Sequence, residues 1–395
     1  MHLSLIVVQP TSQCNLNCSY CYVPGRQSLE LMTPSTLEAV ISKVLNSTLT
    51  SQHVEFLWHA GEPLLAGIPF YRTALSLIEK HNSAQRKIKN TIQTNGVLLS
   101  DEWCKFLKEN DFGVGISIDG PQSLHDANRV NWAGKGTFTQ VMSGYNRLRD
   151  AGIAPGALSV ITANTLSYPD QLFEFYIENG FEWVGFNIEE IENDNKTSSF
   201  QRNTGSNWHF QKKAYRRFMR RFFELWFNSD KTFIVREFID ISRIIASTQN
   251  DSQYIPVPDE VKPLNFLTID KNGNITPFSP EFAGSVAPSY NNFVIGNIHT
   301  ADLDTLKYNE TFMDISNDIT AGVRNCAKTC KYFGLCGSGF LSNKFTENSS
   351  LESTETSACI LHRQILVDVI IEGLSERPPD SFKQPGPMLH ELADH

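Results

Sequence analysis

The sequence predicts an α/β protein whose core is a partial (β/α)6 TIM-like barrel. Two observations support this fold class. First, apolar strand-like runs alternate with segments of helical periodicity through the first half of the chain. Second, this alternation occurs six times, and repeated strand–helix–strand units form parallel sheets. Because a complete barrel has about eight such units, we expect an open one.

Six short apolar runs are the predicted strands of this barrel. They are Leu3–Val8, Val54–Trp58, Ile88–Gln93, Gly113–Ile118, Ala157–Ile161 and Trp183–Ile188. Helix ends are readable between them. Thr33 before Pro34 is a predicted N-cap, and Ser100 is another. Gly152 and Gly180 are predicted to end two further helices. A crossover helix should therefore follow each strand.

The remaining chain divides into three predicted parts. The barrel covers residues 1–205, and bridging helices and a linker follow it over residues 206–260. A smaller domain covers residues 261–376, and a disordered tail covers residues 377–395. The smaller domain should begin with a hairpin made by Phe266–Ile269 and Ile275–Phe278.

One long predicted helix, Trp208–Phe227, has an apolar face and a face rich in lysine and arginine. A helix that packs on the core and exposes its basic side to solvent explains this pattern. A docking face for an acidic peptide is the alternative.

Composition excludes two classes of partner. The 395 residues include 34 Lys+Arg and 43 Asp+Glu, a formal net charge of -9, so no overall field attracts nucleic acid or an anionic membrane. The run Leu3–Val8 is far shorter than the roughly 20 residues of a membrane helix. We therefore expect a cytoplasmic protein.

Seven of the eight cysteines fall into two groups. Three follow the first strand: Cys14, Cys18 and Cys21. Four are C-terminal: Cys326, Cys330, Cys336 and Cys359. Three thiolates on one loop can hold an iron-sulfur cluster with one open iron, with a zinc site completed by His59 as the alternative. Four thiolates can close a second cluster or a structural zinc site. Cys104 is expected to be a buried core thiol.

Polar residues follow every predicted strand at its carboxyl end, where barrel proteins place their active sites. The spacing Cys14-x3-Cys18-x2-Cys21, followed by Tyr22, resembles the cluster motif of radical S-adenosylmethionine (SAM) enzymes. The resemblance implies a 4Fe-4S cluster whose open iron takes the amino and carboxylate groups of SAM. It also implies a SAM site made by Tyr22, Ala60, Gly61, Glu62, Pro63, Gln93, Asn95, Ser117, Asp119, Arg129 and Asn187.

Within that site, the segment 60–63 resembles the family's GGEP motif with Ala60 in place of the first glycine, and it makes Glu62 an anionic partner in the same loop. Asn95, Ser117 and Asp119 are expected to bind carboxylate and ribose. Arg129 is expected to form a bidentate pair with the carboxylate.

The C-terminal cysteines resemble the SPASM domain of radical SAM enzymes, which generally binds two auxiliary 4Fe-4S clusters. Phe278 and Phe340 occupy two positions where the first auxiliary cluster would have cysteines, whereas all four positions for the second are filled. The resemblance therefore implies one auxiliary cluster in a Twitch-like domain.

Further motifs, among them Trp58–Leu64, Ser117–Pro121 and Gly134–Phe138, resemble the cyclophane-forming radical SAM peptide maturases of the cyanobacterial type. The resemblance implies that a 5'-deoxyadenosyl radical takes hydrogen from the β-carbon of a residue in a ribosomally made, Gly-rich precursor peptide. That carbon then bonds to a ring carbon of an aromatic residue two positions earlier. An electron donor such as flavodoxin or ferredoxin is a further implied partner.

The crosslink also needs a base and an electron acceptor, and the auxiliary cluster is the implied acceptor. Sulfatase maturases carry an aspartate base where this chain has Ser279, which argues against formylglycine chemistry. Glu281 and Glu189 are the candidate bases. Thioether formation or formylglycine-type side-chain oxidation is the alternative within the enzyme class, and a non-enzymatic zinc or scaffold protein is the alternative outside it.

Overall fold

The computed structural model describes residues 2–200, 206–229, 233–251 and 253–376, so the predicted tail 377–395 lies outside the described residues. Ten strands are numbered along the chain: β1 (Leu3–Val8), β2 (Thr50–Trp58), β3 (Lys87–Thr94), β4 (Phe112–Ser117), β5 (Gly156–Ile161), β6 (Trp183–Ile188), β7 (Ile234–Val235), β8 (Phe266–Ile269), β9 (Asn274–Pro277) and β10 (Gly296–Asn297). They form one sheet in the order β10-β9-β8-β1-β2-β3-β4-β5-β6-β7.

The α-helices are α1 (Pro34–Asn46), α2 (Ile68–His81), α3 (Asp101–Glu109), α4 (Gln122–His125), α5 (Phe138–Asp150), α6 (Pro169–Glu178), α7 (Ser206–Phe227), α8 (Arg236–Asn250), α9 (Glu310–Thr329), α10 (Leu341–Asn348), α11 (Ser357–Cys359) and α12 (Leu366–Ser375). A π-helical segment, Ile360–Ile365, joins α11 to α12. Short 3-10 helices span Pro63–Ala66, Thr165–Ser167, Asp259–Val261, Pro280–Phe282, Pro288–Phe293, Leu303–Tyr308 and Phe333–Leu335. In the described ranges no helix is both long and apolar enough to cross a membrane.

The partial barrel is confirmed by the pairing of β1 to β6, which are parallel neighbours in chain order. Two of its helices begin at the predicted caps. The Thr33 hydroxyl accepts from the amide of Thr36 at 3.1 Å, and the Ser100 hydroxyl accepts from the amide of Trp103 at 3.2 Å. These bonds satisfy amides that would otherwise lack a partner at a helix start.

Both edges of the barrel sheet extend beyond the six predicted strands. On one side β7 pairs parallel with β6, and its two residues are too few to give a periodic signal. On the other side β8 pairs parallel with β1 and antiparallel with β9, which confirms the predicted hairpin. The hairpin therefore continues the barrel sheet, whereas the domain limits at 205 and 260 stay predictions.

The long helix α7 buries its apolar side, including Tyr215 and Phe222. Its basic side pairs within the chain. Arg216 meets Glu372 of α12, Arg220 lies 2.8 Å from Glu376, and Arg221 meets Asp170 of α6. Three of its arginines are thus already engaged, which favours the core-facing interpretation over a docking face.

Candidate active site

The candidate site lies at the carboxyl ends of β1 to β6. The loop that leaves β1, which we call the cysteine loop, carries three cysteines: Cys14, Cys18 and Cys21. Residues after β4 hold its backbone. The Asn17 amide donates to the carbonyl of Val130 at 2.8 Å, and the Trp132 indole donates to the carbonyl of Cys14 at 2.8 Å. The thiols are therefore presented by a backbone that is anchored by the segment between α4 and α5.

The end of β2 packs tightly on the cysteine loop. Gly61 has a φ of +58°, and a Cβ there would lie 2.5 Å from the carbonyl oxygen of Gln13, so only glycine fits. The Glu62 carboxylate is fully buried and accepts from the Thr94 hydroxyl at 2.7 Å and the Asn95 amide at 2.8 Å. Burial raises the pKa of Glu62 to about 7, against the lowering effect of these bonds. Glu62 thus ties the ends of β2 and β3 together with protein donors.

The end of β4 carries a buried ion pair. Asp119 lies 3.1 Å from Nε of Arg129, accepts from the Val160 amide at 3.0 Å, and accepts from the hydroxyl of Tyr20. The Arg129 guanidinium also lies over the Tyr20 ring, 5.4 Å from its centroid. Burial lowers the pKa of Arg129, but Asp119, Tyr20 and Cys18 together outweigh this effect and the net shift is upward. Both Asp119 oxygens therefore have protein partners.

Three other predicted SAM-site residues are also held by side chains. Gln93 Nε2 donates to the Ser117 hydroxyl at 3.0 Å across neighbouring strands. Arg236 Nη2 donates to Oδ1 of Asn187 at 2.9 Å. The strand ends thus form a network with fixed side-chain orientations rather than independent polar groups.

A second feature is an acidic cavity of about 340 Å³, where the end of β6 faces the C-terminal part of the chain. Its lining includes Asn187, Glu190, Glu260, Ser279, Glu281 and Arg363. Desolvation, and then repulsion by Glu281, raise the pKa of both Glu190 and Glu260. The neighbouring buried Glu192 has its pKa raised by desolvation and then by Glu190 and Glu281. Glu281 is therefore the shared neighbour of three carboxyl groups.

The two candidate bases occupy different surroundings. Glu281 lines the acidic cavity, where its carboxylate accepts from the Ser279 hydroxyl. Glu189 instead accepts from the amide of Ser199 at 2.9 Å and from the hydroxyl of the same residue. The sequence predicted Glu189 as a candidate base, whereas it is the neighbouring Glu190 that lines the cavity. The strand ends at Ile188, so side-chain alternation no longer decides which glutamate points inward.

The four C-terminal cysteines line one further cavity of about 340 Å³, which we call the C-terminal cavity. Helix α9 carries Cys326, and Cys330 follows at its end. Cys336 follows the 3-10 helix Phe333–Leu335, and Cys359 ends α11. Burial raises the pKa of Cys359 to about 11. Distant segments thus bring four thiols to one place.

Two phenylalanines occupy positions where the resemblance to the SPASM domain would place cysteines. Phe278 is buried and stacks on Phe312 with ring centroids 5.4 Å apart. Phe340 lies in the left-handed region, with a φ of 65°, and lines the acidic cavity. Cys104 is buried in the core, as predicted.

The comparisons with known proteins agree with this geometry. Residues 8–166 match the family model of the radical SAM superfamily. The chain belongs to that superfamily. An uncharacterized protein of Synechocystis sp. is 38% identical over 94% of this chain and 92% of its own length. The cysteine-type anaerobic sulfatase-maturating enzyme of Clostridium perfringens (strain ATCC 13124) is 28% identical over 85% of this chain and 88% of its own.

Solved structures share the fold of this radical SAM enzyme. The anaerobic sulfatase-maturating enzyme anSMEcpe with bound AdoMet has a TM-score of 0.75 at 24% identity, covering 95% of this chain and 98% of that one. Streptococcus suis SuiB bound to precursor peptide SuiA has a TM-score of 0.62 at 17% identity, covering 90% and 76%. Family membership implies SAM and a 4Fe-4S cluster as cofactors.

The cysteine loop has the donor set for that cluster. The pKa of Cys14 is raised to about 12, first by desolvation and then by Glu62 and the two neighbouring cysteines. The pKa of Cys18 is raised to about 11, first by desolvation and then by Cys21 and Asp119. Neighbouring thiols of this kind ionise when a metal centre supplies positive charge. Asn95 Nδ2 lies 3.7 Å from the Cys14 sulfur and the Leu16 amide lies 3.4 Å from it, so two donors face this sulfur.

The zinc alternatives fit less well. His59, the proposed fourth zinc ligand, has its Nε2 3.3 Å from the Tyr22 hydroxyl. Across the described ranges no three histidine, cysteine or acidic side chains converge as ligands of a single metal ion. A structural zinc site needs four ligands at one point, whereas a cluster of four irons and four sulfides spans a wider space.

Proposed function

We propose that this radical SAM enzyme matures a ribosomally made precursor peptide by forming a cyclophane. The new C–C bond joins an aromatic ring carbon to the β-carbon of the residue two positions later. The motif resemblance favours this reaction. Among structurally similar enzymes, SuiB is known with a precursor peptide and anSMEcpe with the peptide Cp18Cys, which favours a peptide substrate.

The observation that carries the proposal is that the acidic cavity and the C-terminal cavity share Gly339 and Arg363 in their linings. Crosslinking removes two hydrogens from the peptide: one as an atom, the other as a proton and an electron. A proton acceptor and an electron acceptor must therefore lie close together. The two adjoining cavities supply this arrangement.

In the barrel, Cys14, Cys18 and Cys21 would hold the radical SAM cluster, and SAM bound there supplies the hydrogen-atom acceptor after one-electron reduction. Arg129 is held by Asp119 through Nε, and its terminal nitrogens would take the carboxylate of SAM. Gln93 fixes the Ser117 hydroxyl in the same way. These residues bind and orient SAM, and Gly61 lets the loop after β2 approach the cysteine loop.

At the acidic cavity, Glu281 takes the proton. Its carboxylate lies among carboxyl groups whose pKa values are raised, so the proton can be shared within the cluster. Cys326, Cys330, Cys336 and Cys359 would hold an auxiliary 4Fe-4S cluster that supplies the electron acceptor. Glu189 stays a prediction, although its bonds to Ser199 favour a structural role.

The test is co-expression with a Gly-rich precursor whose aromatic residues carry ring deuterium, followed by tandem mass spectrometry. Cyclophane formation should remove one ring deuterium and one hydrogen per crosslink. It should also suppress fragmentation between the joined residues. A precursor with each aromatic residue replaced by alanine is the matched control and should keep its mass. An unchanged labelled peptide would contradict the proposal.

Side-chain oxidation of the formylglycine type is the second candidate, favoured by 28% identity to the Clostridium perfringens maturase over 85% of this chain. It predicts a modified peptide that retains all of its ring deuterium. The same labelled substrate therefore separates the two reactions.

A further inference from the structure

The C-terminal cavity contains a buried lysine. Lys344, on α10, is 1% exposed and lines the cavity with the four cysteines. Its Nζ lies 2.7 Å from the hydroxyl of Ser338 and 3.6 Å from the sulfur of Cys326. Within the described ranges no carboxylate lies at ion-pair distance from Lys344. This ammonium group therefore has a hydroxyl and a sulfur as its partners.

A buried ammonium group is costly unless an anion compensates its charge. Four thiols without metal supply no such charge, whereas thiolates that ligate an iron-sulfur cluster do. The position of Lys344 is also well defined. Ser338 is buried with a φ of 76°, and a Cβ at Gly337 would lie 1.9 Å from the carbonyl oxygen of Pro256. Backbone strain of this kind persists only where the surroundings enforce it.

We propose that Lys344 is a positioning residue that raises the reduction potential of the auxiliary cluster. This inference rests on the cluster of the proposed function. Reduction adds one electron, which makes the cluster and its four thiolates more negative. A fixed positive charge that donates to the Cys326 sulfur stabilises the reduced form more than the oxidised form. The cluster thereby becomes a better acceptor for the electron that the peptide must lose.

The test is a redox titration followed by electron paramagnetic resonance. It uses the full chain with Cys14, Cys18 and Cys21 replaced by alanine, so that one cluster remains to be observed. In this background Lys344→Met, a replacement of similar shape without charge, should lower the equilibrium constant for cluster reduction at least about tenfold, which is 59 mV for one electron. Lys344→Gln should shift the potential in the same direction.

The matched control is Lys328→Gln. Lys328 lies on α9 two residues from Cys326, but it is exposed, so solvent screens its charge. In Lys328→Gln the equilibrium constant for cluster reduction should therefore change by less than about twofold. Unchanged potentials in both Lys344 variants, with iron retained, would overturn the inference. Loss of iron in both would also overturn it, because the lysine would then serve cluster retention.

The background protein separates this inference from the proposed function. If it binds no iron while Lys344 is intact, the proposal of an auxiliary cluster is wrong, and the inference about Lys344 is wrong with it. If it binds about four irons and the Lys344 variants keep the same potential, only the inference fails.

Discussion

The two cysteine groups differ in how the protein compensates charge around them. Near the cysteine loop the buried cation is already paired, because Arg129 lies 3.1 Å from Asp119. Within the described ranges Lys344 of the C-terminal cavity has no carboxylate at ion-pair distance, and its Nζ lies 3.6 Å from the sulfur of Cys326. The buried arginine beside the loop therefore has a carboxylate partner, whereas Lys344 in the C-terminal cavity has a hydroxyl and a sulfur as its hydrogen-bond partners.

This difference matches two chemical roles. A cluster that must give an electron to SAM needs a low potential, and a paired arginine adds little net positive charge beside it. A cluster that must accept an electron benefits from an uncompensated cation. The predictions below test whether the two groups can be separated in this way.

The largest expected effect is at the cysteine loop. Cys14→Ala removes a proposed ligand of the radical SAM cluster and should abolish 5'-deoxyadenosine production, measured by chromatography after anaerobic reduction with dithionite. Cys104→Ala is the control, because that thiol is buried in the core and should leave production intact. Continued SAM cleavage by the Cys14 variant would refute the assignment of the loop.

Replacing a C-terminal cysteine should separate SAM cleavage from crosslinking. Cys336→Ala should still produce 5'-deoxyadenosine but should yield no crosslinked peptide, because the electron has no acceptor. Both products are measured in one assay. If crosslinking survives, the C-terminal group has no redox role.

The acidic cavity should show an intermediate effect. Glu281→Gln cannot take the proton, so the crosslinking rate should fall by about 100- to 10,000-fold while SAM cleavage persists. Glu189→Gln is the matched control, since Glu189 is bonded to Ser199 outside the cavity lining. Equal losses in both variants would exclude Glu281 as the particular base.

The smallest effect concerns stability. Desolvation and repulsion by Glu281 raise the pKa of Glu190 above its usual 4.5. Above pH 4.5 the folded state therefore keeps a proton that the unfolded chain loses, and the stability of the fold should fall as the pH rises. Glu190→Gln has no proton to lose. Its melting temperature relative to wild type should therefore rise by about 2 °C between pH 5.5 and 8.5. A constant difference would contradict the raised pKa.

Most of the barrel was predictable because its strands are buried and its helix caps are local. Thr33 and Ser100 signal helix starts through bonds to amides three residues away. The strand β7 was not predictable, since two residues carry no period. The attachment of β8 to β1 was not predictable either, because it joins segments about 260 residues apart in sequence.

In the candidate site, residue types were easier to predict than partners. Spacing predicted two groups of cysteines, and the four C-terminal thiols line one cavity. The engagement of Asp119 with Arg129 and Tyr20, and of Glu189 with Ser199, depends on where loops fold back and has no local signal. Lys344 was not predicted, because a lysine in a polar segment is typical of the protein surface. Only its burial in the folded structure shows otherwise.

The most direct test of the account is the iron content of anaerobically reconstituted protein. Wild type should bind about eight irons per chain. The protein with Cys14, Cys18 and Cys21 replaced by alanine should bind about four, and so should the protein with Cys326, Cys330, Cys336 and Cys359 replaced. A wild type with about four irons, all lost with the cysteine loop, would contradict two separate clusters.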